Sequence, residues 1–276
     1  MKDETVRRFS IKRVEAGQAA RILDDVAAEE PLGVHIRYWF KDTQLTESLA
    51  VTMRTPGHDR ELVAGFLLSE GIIRSGSDLA DLRALGADPS NEIVAELSRY
   101  VDFEAWRVAR TSVMNSSCGL CGKHSLEAVR IQLPRALDGN IMRIDTATIS
   151  ELPERLRNRQ TGFAKTGGLH AAALVNSTGE IDAVFEDIGR HNALDKVIGD
   201  AVLRAELPVR GYFFLSSRGS FELVQKAAMA GAPILATVGG PSSLAIEAAR
   251  DYGLTLIGFV RDRHFNVYSG EWRVNS

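Results

Sequence analysis

The sequence predicts an α/β protein: a C-terminal α/β sandwich preceded by a smaller α+β region. Three observations predict it. Beyond residue 150, short runs of β-branched and aromatic residues alternate with segments carrying one apolar helical face, and such alternation gives parallel strands joined by crossovers. The helical segments are punctuated by Pro208, Gly231 and Gly253, residues that end helices. The first hundred residues instead show strand-like stretches around one helix, an α+β pattern. With 276 residues, 45% of them apolar, the chain can fill one large or two modest cores and is not a disordered polymer. The expected divisions are an N-terminal domain over 1–109, a connecting segment over 110–145 and a C-terminal α/β domain over 146–276.

In order along the chain, residues 5–14, 33–40 and 45–53 read as strands, the last ending at the turn Pro56-Gly57. From Asp59 the pattern changes to a helix with Leu62, Val63, Phe66 and Leu67 on one face, an acidic first turn, and Gly71 as terminator. A polar stretch over 75–91 and a strand over 92–97 follow. A helix towards Gln160 is expected to start late because Pro153 lacks a backbone donor. Strands 170–175 and 181–185 flank the turn sequence NSTGE as a hairpin. A helix over 192–207 carries Leu194, Val197, Ile198, Ala201 and Val202 on one face. Strands over 212–215, 234–238 and 254–260 then alternate with helices over 220–230 and 242–252.

Thirty-three basic against thirty-six acidic residues give a formal charge of −3, so no global field points to nucleic acid or an anionic membrane. No apolar run approaches the roughly 18 residues of a membrane span. The opening MKDETVRRFS has no signal-like apolar segment, so a cytoplasmic location is expected.

The two cysteines, Cys118 and Cys121, form a lone CxxC in a stretch rich in small and polar residues that reads as a loop. Four chemistries compete for it. Structural zinc would need two histidines besides, for example His124 with His170 or His191. A thioredoxin-like dithiol would need a helix starting on the motif, which Gly119 and Gly122 oppose. Two inert thiols in a loop are a third reading, although free cysteines are usually buried and these sit among Ser116, Ser117 and Lys123. The fourth is a persulfide relay, which needs an accessible, acidified thiolate on a movable loop; Lys123, His124 and the glycines supply those conditions.

A second constellation lies where the strands of the C-terminal half end. In an open α/β sheet, ligands collect at the carboxyl ends of parallel strands. There the sequence places EDIGRHN with Arg190 and His191, SSRGS with Arg218, GGPSS, and Arg261-Asp262-Arg263-His264. Glycine and serine before a helix leave free N–H groups that suit phosphate. Single arginines are usually just solvated, but four loops converging on one edge favour an anionic ligand with more than one phosphate. His170 and His191 can equally be structural histidines. A zinc nucleotide deaminase would suit such a fold, but the required H-x-E and P-C-x-x-C are absent.

The blocks SSCGLCGK, TGGLHAAAL, FEDIGRHNALDKVIG, SSRGSFELVQKA and GFVRDRHFNVY together resemble, in order, those of the formate dehydrogenase accessory sulfurtransferases, the FdhD family. The resemblance covers most of the chain. It implies a cytidine-deaminase-like, three-layer α/β/α fold for the C-terminal domain, and a homodimer. It also implies a cytoplasmic sulfur carrier that takes sulfur from a cysteine desulfurase and passes it to the molybdenum bis(molybdopterin guanine dinucleotide) cofactor, bound as substrate, for formate dehydrogenase. A guanine nucleotide is then expected to stand in for that cofactor. Cys118 matches the family's persulfide position, with Cys121 as its partner thiol, and Phe259, Val260, Arg261, Asp262, Arg263 and His264 match its cofactor-binding stretch. The arginine rim, with Arg218, Arg190, His191 and His170, would hold the pyrophosphates, and no resident metal is expected. The competing function is a non-catalytic chaperone for the cofactor or the apo-dehydrogenase, with a structural or zinc-binding CxxC.

Overall fold

A computed structural model describes residues 4–86, 90–103, 137 and 141–275. Strands β1 (Val6–Glu15) and β2 (Gln18–Ala27) form a two-stranded antiparallel hairpin around Ala16 and Gly17, both at positive φ. A four-stranded sheet follows, built from β3 (Glu30–Phe40), β4 (Thr43–Arg54), β5 (Leu79–Ala84) and β6 (Glu92–Leu97) in the order β4-β3-β6-β5. Within β3, Leu32, Val34, Ile36 and Tyr38 alternate into the core, the period-two pattern of a sheet with one buried face.

Helix α1 (Asp59–Ser69) starts at the acidic turn and stops at Gly71, whose φ of 72° lets Ile72 N bond back to Leu67 O. After a two-stranded parallel pair, β7 (Ile144–Asp145) with the C-terminal β14 (Val274–Asn275), come α2 (Thr146–Arg157) and α3 (Thr161–Thr166). Here the expectation from Pro153 fails, because α2 begins seven residues before it. The helix presents Ile149, Leu152 and Leu156 to the core, and that burial outweighs the roughly 3 kcal/mol of an internal proline.

The six-stranded sheet contains β8 (His170–Asn176), β9 (Ile181–Asp187), β10 (Gly211–Leu215), β11 (Ile234–Thr237), β12 (Thr255–Arg261) and β13 (His264–Ser269). Its order is β13-β12-β11-β10-β8-β9, with β10, β11 and β12 parallel and β8 and β13 antiparallel to their neighbours. Helices α4 (Arg190–Leu203), α5 (Phe221–Met229) and α6 (Ser243–Asp251) follow β9, β10 and β11. Successive residues of β10 serve opposite faces. Phe213 and Leu215 join the cluster holding α4, α5 and α6, whereas Tyr212 and Phe214 join the cluster holding α2. The sheet is therefore the middle of three layers. The first of those clusters also contains Tyr38, Leu62, Leu67 and Ile93, so the core is continuous from the N-terminal sheet into the C-terminal one.

That continuity is carried by a tight crossing of α1 on α4. A Cβ on Gly199 would overlap the carbonyl oxygen of Glu61 and stand 2.7 Å from Gly65 N, and a Cβ on Gly65 would overlap the carbonyl oxygen of Asp195. Two buried ion pairs flank the crossing. Lys226 Nζ lies 2.8 Å from Asp195, to which Ser69 Oγ also donates, and Lys196 Nζ lies 2.8 Å from Asp187. Burial pushes the Asp195 carboxyl up, and Lys226 and Ser69 work against that push.

Candidate functional site

The antiparallel pairing of β8 with both β9 and β10 brings the carboxyl end of β9 to the same edge as those of β10, β11 and β12, together with the start of β8. His170 begins β8 opposite Asp187, the last residue of β9. Arg190 and His191 occupy the first turn of α4, which starts on Gly189. The edge corner is fastened by Asp187, fully buried, which accepts from Gly189 N at 2.8 Å, Thr55 N at 3.1 Å and Asn192 Nδ2 at 3.2 Å. Thr55 returns the bond by accepting from Ile188 N and, through its carbonyl, from Lys196 Nζ. The segment before α1 is thus part of the edge, which sequence reasoning missed. A buried threonine after a strand carries no signal of its role.

Burial pushes the His170 imidazole below its ordinary range, and the nearby Arg190 and His191 push the same way against Asp187. At neutral pH His170 is an uncharged ring with one donor and one acceptor. His191 Nε2 lies 2.8 Å from Glu222 Oε2 and 3.3 Å from Ser220 Oγ, both in the turn that opens α5. Glu222 was not singled out by the sequence, where an acid in the first turn of a helix reads as a response to the helix dipole.

The remaining predicted residues gather further along the same edge. Arg218 is exposed and packs its backbone beside Gly239, and the β10 and β11 turns are tied by Ser242 N to Gly219 O at 2.9 Å. The Phe259 ring covers Gly240, where a Cβ would come within 2.5–3.2 Å of it. Phe259 has φ 57°, a left-handed conformation that side chains seldom adopt and that marks stored strain. Arg261 pairs with His264 across a two-residue turn, with Asp262 at φ 49° and Arg263 at φ 60°. Two positive φ angles make this a type I′ turn, although glycine is the usual residue where Arg263 stands. Arg261, Asp262, Arg263 and His264 are exposed, and the Arg261 guanidinium stands 5.8 Å from the Phe259 ring centroid. Val260 differs: its side chain is buried in the core cluster beneath the sheet, so only its backbone faces this edge.

On the α2 face of the edge, a cleft of about 290 Å³ is lined by residues including Arg157, Phe163, Gly168, Leu169, His170 and Ser216. The Arg157 guanidinium stacks 4.1 Å from the Phe163 ring. Glu186 fixes the start of α3 by accepting from Gly162 N at 2.7 Å and Phe163 N at 2.8 Å. A cation on an aromatic face beside a neutral imidazole suits a planar, polar ligand. Cys118, Cys121 and His124 lie outside the described residues. Among the described residues, no group of three or more His, Cys, Asp or Glu is placed to hold a metal, and no helix is long and apolar enough to cross a membrane.

The model of the FdhD/NarQ family matches residues 27–275. This chain belongs to the FdhD/NarQ family. Relatives of FdhD/NarQ type include the "Sulfur carrier protein FdhD" of Streptomyces coelicolor, 43% identical over 97% of this chain and 95% of that protein. The protein of the same name from Saccharolobus solfataricus is 38% identical over 98% of both. The FdhD/NarQ fold is also seen in the crystal structure of a protein from Desulfotalea psychrophila described as a formate dehydrogenase accessory protein. Its TM-score is 0.75 at 21% identity, covering 98% of this chain and all of that one.

Proposed function

We propose that this protein is a sulfur carrier of the persulfide-relay type, receiving sulfur on Cys118 and delivering it to a molybdenum bis(molybdopterin guanine dinucleotide) held on the arginine edge. The observation that carries the reading is near-full-length identity of about 40% to proteins named as sulfur carriers, in a chain whose only two thiols form one CxxC. The edge supports it. Arg190, Arg218, Arg261 and Arg263 offer charge-assisted donors to phosphates, and the Arg157–Phe163 cleft offers a planar ring a place to stack. Formate dehydrogenase is the proposed recipient and a cysteine desulfurase the proposed donor, with the carrier a cytoplasmic homodimer.

The relay conserves atoms and electrons. The Cys118 thiolate attacks the outer sulfur of the donor's persulfide, the donor's S–S bond breaks, and the donor departs as a thiolate; on delivery the Cys121 thiolate attacks the inner sulfur of the Cys118 persulfide, the outer sulfur leaves as sulfide for the cofactor, and a Cys118–Cys121 disulfide is left for a cellular thiol to reduce. Incubation with a cysteine desulfurase and cysteine should therefore add about 32 Da per sulfur to the intact protein, removable by reductant. Cys118→Ala should lose the adduct. An unchanged adduct in that variant would move the carrier role to another residue.

The edge is tested separately. Charge-assisted hydrogen bonds to phosphate contribute roughly 1.5–3 kcal/mol each, so Arg218→Ala or Arg261→Ala should weaken binding of a guanine nucleotide about tenfold or more. Both are exposed loop or strand-end positions, so folding should survive. Calorimetry giving wild-type affinity in both variants would remove the phosphate role from this edge.

A further inference from the structure

We infer that the outer edge of β1 is the surface on which a second copy of this chain docks, the two β1 strands pairing antiparallel about Ile11 into one four-stranded sheet. The inference deepens the homodimer reading and rests on it. Two ten-residue strands form the hairpin, and among the described residues β1 pairs with β2 alone, while β2 lies against α3. A two-stranded ribbon is marginal in water, and a third and fourth strand stabilise it. The hairpin also leaves apolar side chains in solvent: Phe9 is 55% exposed, Val14 61% and Leu23 66%. Ile11 opposes Ile22, and Phe9 and Val26 lie on the same face as that pair.

The backbone of this edge points outward in a fixed pattern. Glu15 and Gln18 close the two-residue turn as a hydrogen-bonded pair, so Arg13, Ile11, Phe9 and Arg7 bond to β2. Val6, Arg8, Ser10, Lys12 and Val14 therefore turn their N–H and C=O groups away from it, and such a row pairs readily with another strand.

The side chains select both the partner and the register. With a two-fold axis at Ile11, Arg7 stands opposite the partner's Glu15, Arg8 opposite the partner's Val14, Phe9 opposite the partner's Arg13 and Ser10 opposite the partner's Lys12. Two opposite-charge pairs and two cation–aromatic pairs form, and no like charges meet. Within its own chain Arg7 also pairs with Glu30, and Arg13 with Asp24, so the new pairs extend networks of both signs. Sliding by two residues in one direction sets Arg8 against Lys12 and Arg7 against Arg13; in the other it sets Lys12 against Lys12. A slide by one residue would oppose side chains from different faces, which a two-fold axis does not allow.

Cysteine at the axis tests the register. In protein carrying Cys118→Ser and Cys121→Ser, Ile11→Cys would place two thiols across a non-hydrogen-bonded pair, within reach of a disulfide. Oxidation with diamide should convert most of that protein to a covalent dimer on a non-reducing gel. Val14→Cys, on the same strand but about 20 Å from its counterpart, should give almost none. In the otherwise native chain, Glu15→Arg turns both ion pairs into like-charge pairs and should raise the dimer dissociation constant about tenfold, read by sedimentation equilibrium. Absence of the Ile11→Cys cross-link, equal cross-linking in Val14→Cys, or a Glu15→Arg dimer as tight as the wild type would overturn the inference and leave the homodimer standing. A monomeric wild type would overturn both.

Discussion

A Cys118→Ser protein should bind the guanine-dinucleotide cofactor nearly as well as the wild type and yet leave formate dehydrogenase inactive. The expectation follows from separating the two tasks that sulfur delivery demands. In the proposed relay, holding the cofactor falls to the strand-end arginines and the cleft beside His170, and the substitution changes none of those residues. Carrying sulfur falls to a thiolate, and a serine hydroxyl forms no persulfide. Loss of chemistry with binding retained is the pattern of a group needed only in the reacting complex. The measurement is dehydrogenase activity in cells lacking their own accessory protein and supplied with each variant, alongside cofactor content of the purified enzyme. Inactive enzyme that contains the cofactor is the expected result. A chaperone that used the loop only for its shape would tolerate serine, so full activity with Cys118→Ser would reject the relay.

The second large effect is on folding. Helix propensity alone would credit Gly199→Ala with about 1 kcal/mol of stabilisation, since glycine is poor in a helix interior. The crossing of α1 on α4 reverses the sign. The new methyl group would meet the backbone of α1 at two points, the carbonyl of Glu61 and the amide of Gly65, and backbone cannot step aside as a flexible side chain can. Forcing the helices apart would loosen the core they share with both sheets, at a cost of about 3 kcal/mol or more, a large share of the roughly 5–15 kcal/mol that holds a typical domain. Gly199→Ala should therefore lower the thermal midpoint by several degrees, and Gly199→Leu should not yield folded protein. A midpoint equal to or above that of the wild type would mean that the crossing can relax.

The strand ends were legible in the sequence because each combined a β-rich run with a glycine, serine or arginine turn, and the sheet order then placed them on one edge. The Gly71 stop, the NSTGE hairpin and the alternation after residue 205 were legible for the same local reasons. Strand β2 was not, since QAARILDDVA has little β-branched content and pairs only because β1 folds back on it across Ala16 and Gly17. Strand β5, inside a stretch that read as polar, likewise depends on its neighbour β6. Helix α4 stops at Leu203, short of Pro208, because Ala205 turns to φ 57° and Glu206 N bonds back to Ala201 O. Within the site, His170, Arg190 and His191 could be named from pattern, whereas Glu222 and Thr55 could not. Their places in the site come from His191 and Asp187, 31 and 132 residues away from them, a distance across which no periodicity speaks.

Thr55 makes the corner at Asp187 a joint possession of two distant stretches of chain. Its amide and carbonyl neutralise one end each of the Asp187–Lys196 pair, and its hydroxyl takes the Ile188 N–H that the turn leaves over. A C-terminal half grafted onto a foreign N-terminal half would bring every arginine and histidine of the edge with it. It would nevertheless arrive with a buried acid and a buried ammonium each missing the partner that Thr55 supplies, at the very turn that aims Arg190 and His191. For recombination among relatives, the heritable unit of this site is therefore the matched couple of the 55–58 turn and the 186–196 corner, and exchanges that keep that couple together are the ones that keep the edge intact.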